Sequence, residues 1–132
     1  MKNILFTLAL LISFVSFGQT AEEYFDSGYN KAKVKDYYGA IADLTKAIEL
    51  DPNAADTYYN RGNSKARLKD YYGSIADYTK AIELDPNNLS AYKNRGSSKE
   101  NLGDLNGACA DWKKAAELGG KDAAEWVAKQ CN

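Results

Sequence analysis

Residues 35–53 read KDYYGAIADLTKAIELDPN, and residues 69–87 read KDYYGSIADYTKAIELDPN. The shift is 34 residues. Extended over a full period, 21–54 and 55–88 agree at 22 of 34 positions. A diverged third copy starts at Leu89, where Gly103-Asp104-Leu105 replaces Lys-Asp-Tyr and Lys114-Ala115-Ala116-Glu117-Leu118 replaces Lys-Ala-Ile-Glu-Leu. A fixed period of this length marks a chain built from repeated supersecondary units.

Each unit reads as two helices. In the second copy the spacing predicts helices over about 57–68 and 73–84. Ile75, Tyr78, Ala81 and Ile82 recur three and four residues apart and form one apolar stripe. Gly62, lacking a Cβ, lets a neighbouring helix approach. Asp70 stands where its carboxylate can cap the second helix. Asp85-Pro86-Asn87 ends that helix, since proline cannot continue it and restrains the residue before it. Short turns imply antiparallel neighbours. One pair cannot bury its stripe, so three pairs must stack, with a modified last unit as a cap. Residues 122–131 suit that role: Ala123, Ala124, Val127 and Ala128 are expected to face inward, with Trp126 covering the edge of the last stripe.

Composition sets outer bounds. The chain has 132 residues, 45% hydrophobic and 27% charged, which suits one folded domain. With 17 basic against 18 acidic residues it lacks the excess of positive charge that binding to nucleic acid requires. It has no histidine, which removes the commonest general base and metal ligand. The carboxylates Asp43, Asp77 and Asp111 repeat with the period, as do Asp36, Asp70 and Asp104, which favours a structural role over a unique catalytic pair. No enzyme activity, cofactor or metal site is expected. Asn88-Leu89-Ser90 matches a glycosylation sequon, a signal of little weight.

The first eighteen residues differ from the rest. Lys2 precedes an apolar run from Ile4 to Phe17 that is too short to span a bilayer, and Ser16-Phe17-Gly18 offers small residues at −3 and −1 of a cleavage site. Residues 1–18 are expected to be a signal peptide, which makes the mature chain, 19–132, periplasmic or extracellular. An uncleaved membrane anchor is the alternative.

The repeats resemble the tetratricopeptide repeat. Its pattern of an aromatic at position 4, glycine at 8, alanine at 20, an aromatic or leucine at 24, alanine at 27 and proline at 32 is matched by Tyr24, Tyr58 and Tyr92; Gly28, Gly62 and Gly96; Ala40 and Ala108, with Ser74 in the second copy; Leu44, Tyr78 and Trp112; Ala47, Ala81 and Ala115; and Pro52 and Pro86. The third copy has Gly120 at the last of these. Residues 115–128 also resemble a single weak Sel1-type repeat. The resemblance implies an all-α, right-handed superhelix of antiparallel helix pairs over 19–132, with repeats at about 21–54, 55–88 and 89–121 and a cap helix at about 122–131. It further implies a concave groove that takes a protein or peptide partner.

In the family, positions 2, 5, 9, 12 and 13 of each first helix line that groove. Carried over, the site residues are Phe25, Tyr29, Lys33, Tyr59, Asn63, Arg67, Lys93 and Ser97, flanked by Glu22, Ala32, Asp56, Ala66, Ser90, Glu100 and Asn101. The aromatics are amphipathic anchors, Asn63 suits a peptide backbone, and Lys33, Arg67 and Lys93 suit a carboxylate. Alternatively, the aromatics fill contacts between repeats and the charges are only solvated. Asn63 and Lys93 resemble part of the clamp with which some members hold a C-terminal carboxylate, but Phe25 and Tyr29 stand where the clamp's first lysine and asparagine belong.

Arg61 and Arg95 take position 7, usually leucine in the family. A charge at a packing position should be paired, and Asp43, Asp77 and Asp111 are the expected partners. An antiparallel hairpin about residue 120 places Cys109 opposite Cys131. A Cys109–Cys131 disulfide is expected, since export makes oxidation plausible; two buried free thiols or a metal pair are the alternatives. The functional expectation is an exported protein-interaction module using its groove. The alternative is a scaffold subunit of an envelope or secretion complex that uses its convex face or caps.

Overall fold

The structure, a computed structural model, describes residues 18–132. The expected leader, 1–18, lies outside these apart from its last residue. Seven helices follow in order: α1 (Ala21–Lys33), α2 (Tyr37–Leu50), α3 (Ala55–Arg67), α4 (Tyr71–Leu84), α5 (Leu89–Asn101), α6 (Leu105–Glu117) and α7 (Lys121–Gln130). Among the described residues there is no strand. The second-copy helices start two residues before the expected 57 and 73. For α4 the reason is its cap: Asp70 occupies the N-cap itself and accepts from the Gly73 backbone N–H at 3.0 Å, so Tyr71 and Tyr72 form the first turn. Asp36 and Asp104 cap α2 and α6 in the same way.

The turn inside each pair needs one left-handed residue. Lys35 (φ 66°) and Lys69 (φ 63°) take that conformation, and Gly103 (φ 81°) takes it in the third repeat. The next amide then closes the helix end: Asp36 N–H donates to Lys31 O, and Asp70 N–H to Lys65 O, both at 2.9 Å. The third copy's departure at Gly103 therefore keeps the turn and relieves its strain.

Helices pack as hairpins α1/α2, α3/α4 and α5/α6, and each hairpin docks on the next through α2/α3 and α4/α5. The core repeats with the sequence. Leu44, Tyr78 and Trp112 are all but fully buried, each against the glycine of the facing helix. A Cβ added to Gly28, Gly62 or Gly96 would lie 2.8, 2.9 or 2.6 Å from those three side chains. The bulky residue grows along the solenoid while the glycine stays constant. Burying each of these side chains stabilises by roughly 1.5–3 kcal/mol.

A polar seam runs beside this core. Arg61 grips Asp77 through two hydrogen bonds, at 2.8 and 2.7 Å, and also reaches the Thr45 hydroxyl at 3.2 Å. Arg95 repeats the arrangement with Asp111 and Thr79. Lys65 and Lys99 add a second cation to each aspartate. In the first repeat Ser27 replaces the arginine and donates to Asp43 at 2.6 Å, with Lys31 2.7 Å away. Burial alone would raise the Asp43 pKa, but the hydrogen bonds from Lys31 and Ser27 outweigh it and hold the carboxylate below its ordinary range. The Asp77 hydrogen bonds likewise raise Arg61 above its ordinary value.

Helix α7 packs on α6 as the cap. Ala123 is buried, and Trp126 meets Trp112 edge-on at 5.4 Å between centroids. Ala124 and Ala128, expected to face inward, are exposed. At ten residues α7 has one partner hairpin, so a single stripe through Ala123, Trp126 and Val127 satisfies it, and neighbouring positions turn to solvent. Cys109 and Cys131 are joined, Cα to Cα 5.6 Å, and tie the end of α7 to α6.

Candidate functional groove

The first helices α1, α3 and α5 stand side by side and leave three depressions. The largest, about 500 Å³, lies between α3 and α5 and is lined by Tyr59, Asn63, Arg67, Asn94, Ser97 and Asn101, among others. The second, about 210 Å³, lies between α1 and α3 and includes Tyr29, Lys33 and Tyr37. Asn63 and Arg67 border both. The third, about 260 Å³, surrounds Phe25 near the α2–α3 turn. Six of the eight expected groove residues thus gather around one pair of shared side chains, and Phe25 stands apart.

Lys93 is placed differently. Expected as a cation open to a partner's carboxylate, it already holds one: its ammonium donates to Asp122 of α7 at 2.8 Å and lies 5.9 Å from the Trp126 ring centre. That hydrogen bond keeps Asp122 below its ordinary pKa. The partner comes from 29 residues away, beyond the repeat to which Lys93 belongs.

The floor of the largest depression is a fixed network. Tyr78 donates to Asn63 Oδ1 at 2.6 Å, and Asn94 Nδ2 donates to the same oxygen at 3.0 Å and to the Tyr59 hydroxyl at 3.2 Å. Burial foremost pushes the Tyr78 pKa well above its ordinary value, so this phenol remains a donor. With its oxygen occupied twice, Asn63 keeps an amide N–H pair that makes no hydrogen bond among the described residues. The Tyr59 hydroxyl, accepting from Asn94, keeps its own hydrogen to give. Arg67 is exposed and forms no ion pair among the described residues, and no carboxylate lines either depression that it borders. Lys33 lies 5.3 Å from the Tyr29 ring centre, and Tyr29 stacks on Phe25 at 6.2 Å. The inner surface therefore offers donors and cations beside aromatic faces.

Sequence reasoning missed Asn94 and did not place Asn101 among the site residues. A signal existed: Ser90, Asn94, Ser97 and Asn101 follow one another at four, three and four residues, a continuous polar stripe on α5. Asn94 falls one residue past the position at which the family pattern looks.

Comparison with known proteins identifies the repeats. Family models described as tetratricopeptide repeat match residues 55–88 and 77–110, and one described as TPR repeat matches 23–69. No curated protein matches the chain significantly. Among solved structures, the first TPR of Spaghetti (RPAP3) bound to the HSP90 peptide SRMEEVD is 27% identical, covering 86% of this chain and 91% of that one, at a TM-score of 0.81. The Arabidopsis OM64 TPR domain is 29% identical, covering 85% and 94%, also at 0.81. The second TPR domain of human RPAP3, in complex with the HSP70 peptide SGPTIEEVD, is 30% identical, covering 85% and 95%, at 0.79. Three matched repeats, the glycine-to-bulky packing and these relatives agree: the chain belongs to the tetratricopeptide repeat family.

Proposed function

We propose that this protein is an exported interaction module that binds an extended peptide or partner helix in the groove between α1, α3 and α5. The observation that carries the reading is the pair of depressions sharing Asn63 and Arg67, whose free donors and aromatic faces the fold leaves uncommitted. Relatives of the same size are solved with peptides bound. The ligand differs in kind from the chaperone C-termini those relatives hold, because Phe25 and Tyr29 replace the clamp's first pair and Lys93 is engaged by Asp122. Export is supported by the leader-like residues 1–18 and by the disulfide, which belongs to oxidising compartments. Intact mass of the protein recovered outside the cytoplasm tests it: a mass that still contains 1–18 removes the cleavage step.

Affinity capture from envelope and culture medium tests the groove. Wild type is compared with Tyr59→Ala/Arg67→Glu, in which Arg67 is exposed and Tyr59 is half-buried beside the core, so helicity and melting temperature are checked first. A partner lost with this variant supports groove recognition. A second reading, a scaffold subunit using another face, is favoured by Tyr38 and Tyr72, which project 77% and 78% exposed from corresponding turns. It leads if the partner survives the groove variant and is lost with Tyr38→Ser/Tyr72→Ser.

A further inference from the structure

We propose that the Cys109–Cys131 disulfide is a thiol-exchange site, and that its opening undocks α7 and releases Lys93 for a partner's carboxylate; the last step rests on the groove reading above. Helix α7 is built as a hinged arm with a latch. At its start Gly119 has φ 103° and Gly120 is the N-cap, and no side chain caps the helix, whereas Asp104 caps α6. At its end Cys131 is bonded to Cys109 of α6. A ten-residue helix is marginal by itself. Between hinge and latch it is held by Ala123, Val127, the Trp126–Trp112 contact and the Lys93–Asp122 pair. Opening the latch returns conformational freedom to a loop spanning 22 residues.

The latch is within reach of a thiol. Both cysteines line a depression of about 400 Å³ whose lining comes from α6 and residues 130–132. Cys131 is half-buried and Cys109 is buried, so Cys131 Sγ is the sulfur that an incoming thiolate meets. Lys113, exposed in the same depression and without an ion pair among the described residues, favours that thiolate electrostatically. One thiolate of a dithiol attacks Cys131, breaks the S–S bond and forms a mixed disulfide; Cys109 leaves as a thiolate and takes a proton from water. The dithiol's second thiolate then displaces Cys131, which is protonated in turn. The protein gains two electrons and two protons, and the dithiol departs as its own disulfide.

The release reaches the groove because α7 carries Asp122. Lys93 stands one turn from Ser97, which lines the largest depression, on the same face of α5. While α7 is docked, Asp122 accepts from the Lys93 ammonium at 2.8 Å, and the Trp126 ring centre lies 5.9 Å away. Asp122 is the one ion-pair partner of Lys93 among the described residues. Without α7 this cation is left to whatever occupies the groove.

Lysine acylation read by peptide mass spectrometry tests the latch. The purified protein is treated with dithiothreitol under native conditions or left oxidised, free thiols are blocked, and N-hydroxysuccinimidyl acetate is added. Labelling of Lys93, scaled to the exposed Lys35, should rise about fivefold on reduction, because the amine loses Asp122 and the cover of α7. Lys65 of α3, paired with Asp77, should stay slow and report that the repeats remain folded. A disulfide that dithiothreitol opens only in denaturant, a Lys93 rate unchanged by reduction, or a Lys65 rate that rises with it overturns the proposal. Selection of random displayed peptides on both forms tests the groove step. The consensus on the reduced protein should gain an acidic position that the oxidised form does not select and that Lys93→Met removes. Consensus sequences without that gain overturn the release of Lys93 to a partner. If neither form selects a consensus, the groove reading fails, and the labelling alone decides the latch.

Discussion

At the scale of single residues, the seam beside the core shows how tightly one position depends on another. Asp77 is almost wholly buried and answers to two cations, Arg61 and Lys65. Removing it leaves both without a counter-charge inside the fold. Asp77→Ala should lower the unfolding free energy by about 3 kcal/mol, the usual cost of breaking a buried pair from one side; urea unfolding reads it, and an unchanged midpoint denies the pair a structural role. The opposite experiment is available one turn away. Ser74 and Ser98 share a hydrogen bond at 2.8 Å across the second junction. At the first junction the partner of Ser64 is Ala40, and the Ser64 hydroxyl is buried with nothing to bond. Ala40→Ser should restore the pair, stabilise by about 1 kcal/mol, and raise the melting temperature by about 4 °C. A lower melting temperature would show that the extra oxygen does not fit.

At the scale of elements, α7 is the helix whose docking depends most on few contacts: Ala123, the Trp112–Trp126 edge contact, the Lys93–Asp122 pair and the disulfide. Asp122 has its pKa held down in the folded state by Lys93. A depressed carboxylate contributes stability above its unfolded pKa, near 3.9, and loses it as pH falls through the folded value. Acidification from about pH 4 downward should therefore loosen the cap, seen as a change in the fluorescence of Trp112 and Trp126, the two tryptophans of the chain. Asp122→Asn should remove the part of that acid response that belongs to the cap. If the variant titrates like wild type, the pair does not hold α7.

At the scale of the whole molecule, each hairpin touches chiefly its neighbours, so stability is close to a sum of local units and junctions. A perturbation at the C-terminal end should stay there. Cys131→Ser opens a link across 22 residues, and the loop-entropy account gives a loss of about 3 kcal/mol. Amide exchange should accelerate in α7 and the facing part of α6 and stay unchanged in α1, α2 and α3. Uniform acceleration would mean that the solenoid unfolds as one block.

The sequence by itself determined the period, the helix pairs, their caps and stops, and the recurrence of Gly28, Gly62 and Gly96; that these glycines face Leu44, Tyr78 and Trp112 is a finding of the structure. The sequence also pointed to the Arg61 and Arg95 partners and paired the two cysteines. These are local or nearest-neighbour relations, and a 34-residue repeat writes them three times, so each copy checks the others. The groove residues came from the family resemblance rather than from spacing alone, and the structure gathers Tyr59, Asn63, Arg67 and Ser97 around one depression. The tertiary structure alone decided what the repeat does not encode. Lys93 meets Asp122 because a cap outside the period lies against it. Asn94 joins the floor because Tyr78 and Asn63 converge there. Ala124 and Ala128 face water because α7 has one neighbour where the internal helices have two. Ser64 is stranded because its partner, one repeat earlier, is alanine. Each depends on which side chain stands across a junction, and distance in space between non-repeating positions leaves no period in the sequence.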